Sequence, residues 1–165
     1  MPSKLEQEAI RITDELGAVV FVGALAVNHY SDYRTTRDID LATTAPLNEP
    51  KLIGLGYVRW QESRTSWVTP RGVKVDFYTR DVGRIPVTWI MEKAVRVKFG
   101  KKEIKVICLE GLVLAKHRAG RTTDVADLTQ LLTHRGGTIR WDLMAEIAED
   151  YEIVELKQIS RALAR

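Results

Sequence analysis

Residues 18–22, Ala-Val-Val-Phe-Val, form an unbroken apolar run of strand length that stops on Gly23. Such a run predicts a strand covered on both faces, and therefore a sheet with helices packed against it. Ahead of it, Leu5, Ala9, Ile12 and Leu16 recur at helical spacing, with Ser3 as a cap and Gly17 as a stop. Behind it, Gly23 marks a tight strand-to-helix passage, with Leu25, Ala26 and His29 or Tyr30 along the next turns. The chain then reads Asp38-Ile39-Asp40-Leu41. Period-two alternation sends Asp38 and Asp40 to one face of a strand, and Ile39 and Leu41 to the other.

The remaining pattern completes an α+β chain. A short helix is expected from Leu47 to Leu55, followed by a small antiparallel meander built from Tyr57–Trp60, Ser66–Thr69 and Val73–Tyr78, with a turn at Pro70-Arg71-Gly72. In the last of these runs Val73, Val75 and Phe77 alternate with Lys74, Asp76 and Tyr78, so Asp76 points away from the apolar face. Residues 84–108 carry two β-like runs, Ala94–Phe99 and Ile104–Ile107, around a turn at Gly100-Lys101-Lys102. From Leu109 onward the composition turns helical, with LEGLVLAKHRAG, TTDVADLTQLLTHRGG, RWDLMAEIAED and IVELKQISRALA reading as four successive helices. The expected organisation is a twisted mixed sheet flanked by helices over residues 1–108, with a helical region, 109–165, packed on it and closing one wall of a cleft.

Composition excludes several classes. A 45% hydrophobic fraction in 165 residues is enough for a core without staples. Cys108 is the sole cysteine, so no disulfide framework forms within the chain; it reads as a small core residue in a reducing compartment. No apolar run approaches the roughly 20 residues of a membrane span, and charges interrupt the first residues where a signal peptide would be apolar. The expectation is a cytoplasmic protein with no membrane association. A net charge of +3 permits an anionic partner without requiring one. Arg96, Lys98, Lys101, Lys102 and Lys105 cluster, as do Lys116, His117, Arg118 and Arg121; either group could face nucleic acid or simply solvent.

The carboxylates define the chemistry. Mg²⁺ prefers oxygen ligands and takes one or two carboxylates, leaving its other positions to phosphate and water. Two aspartates at i and i+2 on a strand supply such a pair, and their mutual repulsion is relieved by a bound cation. Asp76, from an adjacent strand, could complete a metal clamp and act as general base on an attacking hydroxyl. The Gly23 turn exposes backbone N–H groups where a phosphate can come close. Taken singly, a D-x-D is common at strand ends, a glycine is a turn residue and an aspartate on a polar face is solvated. Their order and spacing together describe transfer from a nucleoside triphosphate.

These residues resemble the signature of the nucleotidyltransferase superfamily: a hydrophobic residue, glycine and a small residue, then acid-hydrophobic-acid, then a further acid between hydrophobics. Here they are Val22-Gly23-Ala24, Asp38-Ile39-Asp40-Leu41 and Val75-Asp76-Phe77. The closer resemblance is to its small AbiEii-like and MNT-like branch, which includes toxins of toxin–antitoxin pairs, through Arg34-Thr35-Thr36-Arg37 before the aspartates and Lys116-His117-Arg118-Ala119 and Thr123-Asp124-Val125-Ala126-Asp127 after them. It covers roughly residues 18–133. Ala24 stands where the family has Gly or Ser, so its backbone N–H takes the phosphate-binding role, and Thr123 stands where a base is usual.

The resemblance implies a nucleotidyltransferase fold with Asp38, Asp40 and Asp76 as catalytic, metal-binding residues. Gly23, Ala24, Arg37, Lys116, Asp124 and Asp127 would form the nucleotide site, with Lys116 on the triphosphate and Asp124 or Asp127 orienting it. The late helices agree: Lys116 continues the stripe of Leu109, Leu112 and Val113, so its stem is directed inward. The implied cofactor is Mg²⁺, or Mn²⁺ in its place, with an NTP as substrate. The acceptor stays open among a tRNA or other RNA 3′ end, a protein hydroxyl and an aminoglycoside; an antitoxin is the partner that the branch implies. A non-catalytic nucleotide- or partner-binding module is the competing reading. His29 and His117 lack metal-pair spacing and read as packing or substrate-side residues, and the four tryptophans as core or half-buried anchors.

Overall fold

The computed structural model describes residues 2–164. Helix α1 (Lys4–Leu16) starts at a capping box in which the Ser3 hydroxyl accepts from the Glu6 N–H and the Glu6 side chain accepts from the Ser3 N–H. It ends at Gly17, whose φ of 83° is glycine territory. Strand β1 (Val20–Phe21) and helix α2 (Ala24–Tyr30) follow, then β2 (Ile39–Ala42), α3 (Glu49–Gly54), β3 (Val58–Arg59), β4 (Ser66–Val68) and β5 (Lys74–Tyr78). A small ribbon, β6 (Asp81–Val82) and β7 (Ile85–Pro86), leads into α4 (Val87–Glu92) and the hairpin β8 (Val95–Phe99) and β9 (Lys102–Val106). Helices α5 (Leu109–Ala119), α6 (Thr122–Arg135), α7 (Trp141–Met144) and α8 (Asp150–Leu163) complete the chain.

Seven strands form one mixed sheet in the order β3-β4-β5-β2-β1-β9-β8. Strand β1 lies inside the sheet, antiparallel to β2 and parallel to β9, and the central strand β2 is parallel to β5. Val19 to Val22 are all buried, in keeping with a strand covered on both faces. The α+β class, the mixed sheet flanked by helices and the helical C-terminal region all match the sequence expectation. Core residues of the sheet, including Phe21, Leu41, Val75 and Val106, share one apolar cluster with Leu112, Leu114, Leu131 and Leu156 of the late helices. Cys108 is also buried, 1% exposed. Among the described residues no helix is long and apolar enough to cross a membrane.

Local departures have local causes. The third late helix is only Trp141–Met144, because the following N–H groups of Glu146 and Ile147 turn back to carbonyls three residues earlier. A capping box between Glu149 and Glu152 then starts α8 at Asp150. The β6–β7 ribbon, which hydrophobic patterning leaves unmarked, turns on Gly83 and Arg84, both at positive φ.

Register across the sheet sorts the side chains into rows. Ile39 lies opposite Val75, Val75 opposite Trp67 and Trp67 opposite Arg59; the first three are fully buried. The alternate row carries Asp40 opposite Asp76, Asp76 opposite Ser66, and Ser66 joined to Trp60 by a backbone bond of 2.9 Å. The β3–β5 wing is fastened to α1 by Arg71, whose guanidinium donates to Glu8 and Glu15 at 2.7 and 2.8 Å.

Candidate functional site

Asp40 and Asp76 are the centre of the site because β2 and β5 run parallel in a register that sets them directly opposite. Their carboxyl groups lie close enough for the charge of Asp76 to act on Asp40. Burial, and then the negative charge of Asp76, push the Asp40 carboxyl up to about 6, with the Lys116 ammonium acting in the opposite sense. Asp76 also accepts from the Ser66 hydroxyl and lies 3.6 Å from the Lys74 ammonium.

Gly23 touches Asp40. A Cβ at position 23 would stand 2.2 Å from Asp40 Oδ2 and 2.9 Å from its Cβ and Cγ, so only glycine leaves room for this carboxylate. The φ of −100° suits any residue, so the constraint is contact and not backbone conformation. Gly23→Ala should therefore drive the Asp40 side chain from its position and lower stability by about 1–3 kcal/mol. Thermal unfolding checks it, and an unchanged midpoint would show that Asp40 is not held there. Ala24 follows as the first residue of α2 and is buried.

A cleft of about 170 Å³ opens beside Asp40, lined by Gly23, Tyr78, Gly83, Lys116, Arg121 and Asp124 among others. The Lys116 stem comes off the buried face of α5, and its ammonium lies 2.8 Å from Asp127 Oδ2 and 3.2 Å from Asp124 Oδ1. Asp124 is held at the start of α6, where it accepts from Arg121 Nε at 2.7 Å and from the Arg121 N–H at 3.3 Å. Asp127, fully buried, also accepts from Arg34 Nε at 2.8 Å and Nη2 at 3.1 Å, and from the Tyr33 hydroxyl. Burial opposes ionisation of both aspartates, yet the surrounding donors prevail and keep both carboxyls below their ordinary range. These two carboxylates therefore face the protein's own cations and position Lys116.

Asp38 and Arg37 are exposed, and Asp38 precedes β2 by one residue. Asp38 is near enough for its charge to bear on Asp40. Among the described residues no three acidic, histidine or cysteine side chains converge as a metal-binding group. The donor chemistry fits a hard divalent cation in another way: Asp40 and Asp76 could each offer oxygen to one ion, leaving its other positions to water and phosphate, the pattern that suits Mg²⁺.

Tyr33 and Tyr78 belong to no motif legible in the sequence. Arg34 lies within the Arg-Thr-Thr-Arg element, its one local signal, and the carboxylate that it binds is 93 residues away in sequence. His29 lines a separate cleft of about 340 Å³ together with Asn28, Arg34 and Thr35, and burial lowers its pKa. His117 pairs with Glu155 at 2.9 Å. The basic cluster at 96–105 lies on the β8–β9 hairpin, at the sheet edge opposite β3, where Lys102 pairs with Asp14 at 3.2 Å.

Residues 4–165 match a family model described as "Nucleotidyl transferase of unknown function (DUF2204)". No curated protein matches the chain. The match spans nearly all of the sequence, and the chain belongs to that family.

Proposed function

We propose that this member of a nucleotidyl transferase family is a metal-dependent enzyme that moves an NMP from an NTP to an acceptor hydroxyl. The observation that carries the reading is the Asp40–Asp76 pair, set opposite each other on parallel strands beside a cleft that contains Gly23 and Lys116. In this reading Asp40 and Asp76 hold Mg²⁺, or Mn²⁺ in its place, with Asp38 contributing from the rim. Such an ion would supply Lewis-acid neutralisation of the charge on the α-phosphate.

The chain's own groups do the rest. Asp76 takes the proton of the acceptor hydroxyl, and Ser66 and Lys74 fix its orientation. The freed oxygen forms a bond to the α-phosphorus as the bond from that phosphorus to the bridging oxygen of the β-phosphate breaks, and pyrophosphate leaves. Lys116, held rigidly by Asp124 and Asp127, offsets the charge that develops on the leaving group. The N–H of Ala24 and the exposed Arg37 assist with the phosphates. Asp124 and Asp127 serve the nucleotide through Lys116.

Incubating the protein with Mg²⁺, RNA and protein extracts, and each NTP labelled at the α- or the γ-position separates this chemistry from its neighbours. The α-label should become acid-insoluble and the γ-label should appear in pyrophosphate. Transfer of the γ-label would identify a phosphoryl transferase instead, and absence of both transfer and NTP binding would leave a non-catalytic module.

A further inference from the structure

The row that holds the two aspartates does not end at Asp76. It continues through Ser66 to Trp60, whose side chain is 41% exposed. Two residues along each strand, Lys74 lies opposite Val68, and Val68 opposite Val58, on the same face. The Lys74 ammonium sits 5.3 Å from the Trp60 ring centre and 3.6 Å from Asp76 Oδ2, which fixes all three on one side of the wing. The other side is the buried row of Val75 and Trp67, toward which Arg59 folds. Val58 is 65% exposed, so an aromatic and aliphatic surface stands open beside the proposed general base.

Resting on the proposed transfer reaction, we infer that this face binds the acceptor, and that the acceptor is the terminal nucleotide of a single-stranded polynucleotide. The cleft with Lys116 lies on the Asp40 side of the carboxylate pair, and the wing extends from the Asp76 side. An attacking hydroxyl must approach Asp76 from the side away from the leaving pyrophosphate, which is over the wing. Trp60 stands two strand spacings from Asp76, roughly 10 Å. A base stacked on the indole, a sugar hydroxyl at Asp76 and a phosphodiester at Lys74 are groups that one terminal nucleotide carries together. Base stacking on an aromatic side chain is sequence-tolerant, and Lys74 supplies the matching positive charge. A polycationic acceptor would meet that ammonium unfavourably.

The test uses fluorescence anisotropy of 5′-labelled single-stranded RNA and DNA oligomers with free 3′ hydroxyls, across a salt series, with the intact protein and a non-hydrolysable NTP. Trp60→Ala should weaken binding about ten- to a hundredfold while Trp60→Phe, which keeps a stacking face, stays close to wild type. Lys74→Gln should lower the slope of log affinity against log salt by about 0.7, the loss of one single-strand phosphate contact. Preference for the ribo- over the deoxy-strand identifies the natural source. The inference is overturned if Trp60→Ala binds as wild type does, if the wild type binds neither strand, or if the α-label in the transfer reaction accumulates on protein. Failure of α-label transfer onto any acceptor counts against the reaction itself, and strand binding still reads the platform separately.

Discussion

Asp40→Asn is expected to make the metal-free protein more stable and to abolish nucleotidyl transfer. The Asp40 carboxyl titrates near 6 in the fold, against an ordinary value of 3.8, because it is buried and faces Asp76. A folded pKa raised above the unfolded one means that this group supports the fold below about pH 4 and that its support is lost as pH rises through about 6. At pH 7 to 8 an ionised Asp40 therefore costs about 1–3 kcal/mol, which asparagine removes. The gain should grow between pH 4 and 7 and vanish at the acid end. Urea unfolding in the presence of chelator, repeated across that range, reads it. Transfer should fall on the order of a thousandfold, since the same oxygen is asked to hold the cation at the reacting phosphate. A variant that is both less stable at neutral pH and still active would reverse the assignment of Asp40.

Asp127→Ala is expected to act in the opposite direction. Its carboxylate is fully buried and accepts from Lys116, Arg34 and Tyr33, drawing together α6, α5 and the segment that leads into Asp38. Removing it leaves two cations in partly buried positions without their shared counter-ion, which typically costs about 3–5 kcal/mol. The sign with pH also differs from that of Asp40. The folded pKa of Asp127 is depressed, so its stabilisation is present above about pH 4 and is lost as pH falls below that value. The variant should be much less stable than wild type at neutral pH, and the gap should narrow under acid. Lys116, freed from its holder, should lose its contribution to transfer as well. Denaturant midpoints at pH 7 and pH 3 check the stability claim, and a variant within about 0.5 kcal/mol of wild type at pH 7 would show that the network contributes little.

The legible and illegible parts of this protein divide by how far the information sits along the chain. The apolar run at 18–22, the Gly23 stop and the alternation around Asp40 and Asp76 are local patterns, and each leads to the element observed. That β2 and β5 pair in parallel with Asp40 opposite Asp76 is a matter of register. Sequence spacing suggested an adjacent strand but could not set that register. Asp38 lies just before β2, which begins at Ile39, and it is exposed where Asp40 is largely covered. The sequence marks Gly23 as a turn, and the structure adds a constraint invisible there, the Asp40 carboxylate pressed against it. Arg34 and Tyr33 meet Asp127 across more than 90 residues; the Arg-Thr-Thr-Arg element marks Arg34 but does not name its partner, and Tyr33 carries no local signal. The Trp60–Lys74 platform depends in the same way on strand pairing, since a tryptophan at the end of a short strand reads equally well as an anchor.

The central claim is that Asp40 and Asp76 jointly hold a divalent cation and, through it, an NTP. Calorimetric titration of a non-hydrolysable NTP into the wild-type protein and into Asp40→Asn, each with Mg²⁺ and with chelator at pH 7.5, tests it most directly. The account predicts binding to wild type that requires Mg²⁺ and is lost in Asp40→Asn while that variant stays folded. Equal affinity in the two proteins, or wild-type binding indifferent to Mg²⁺, would contradict it.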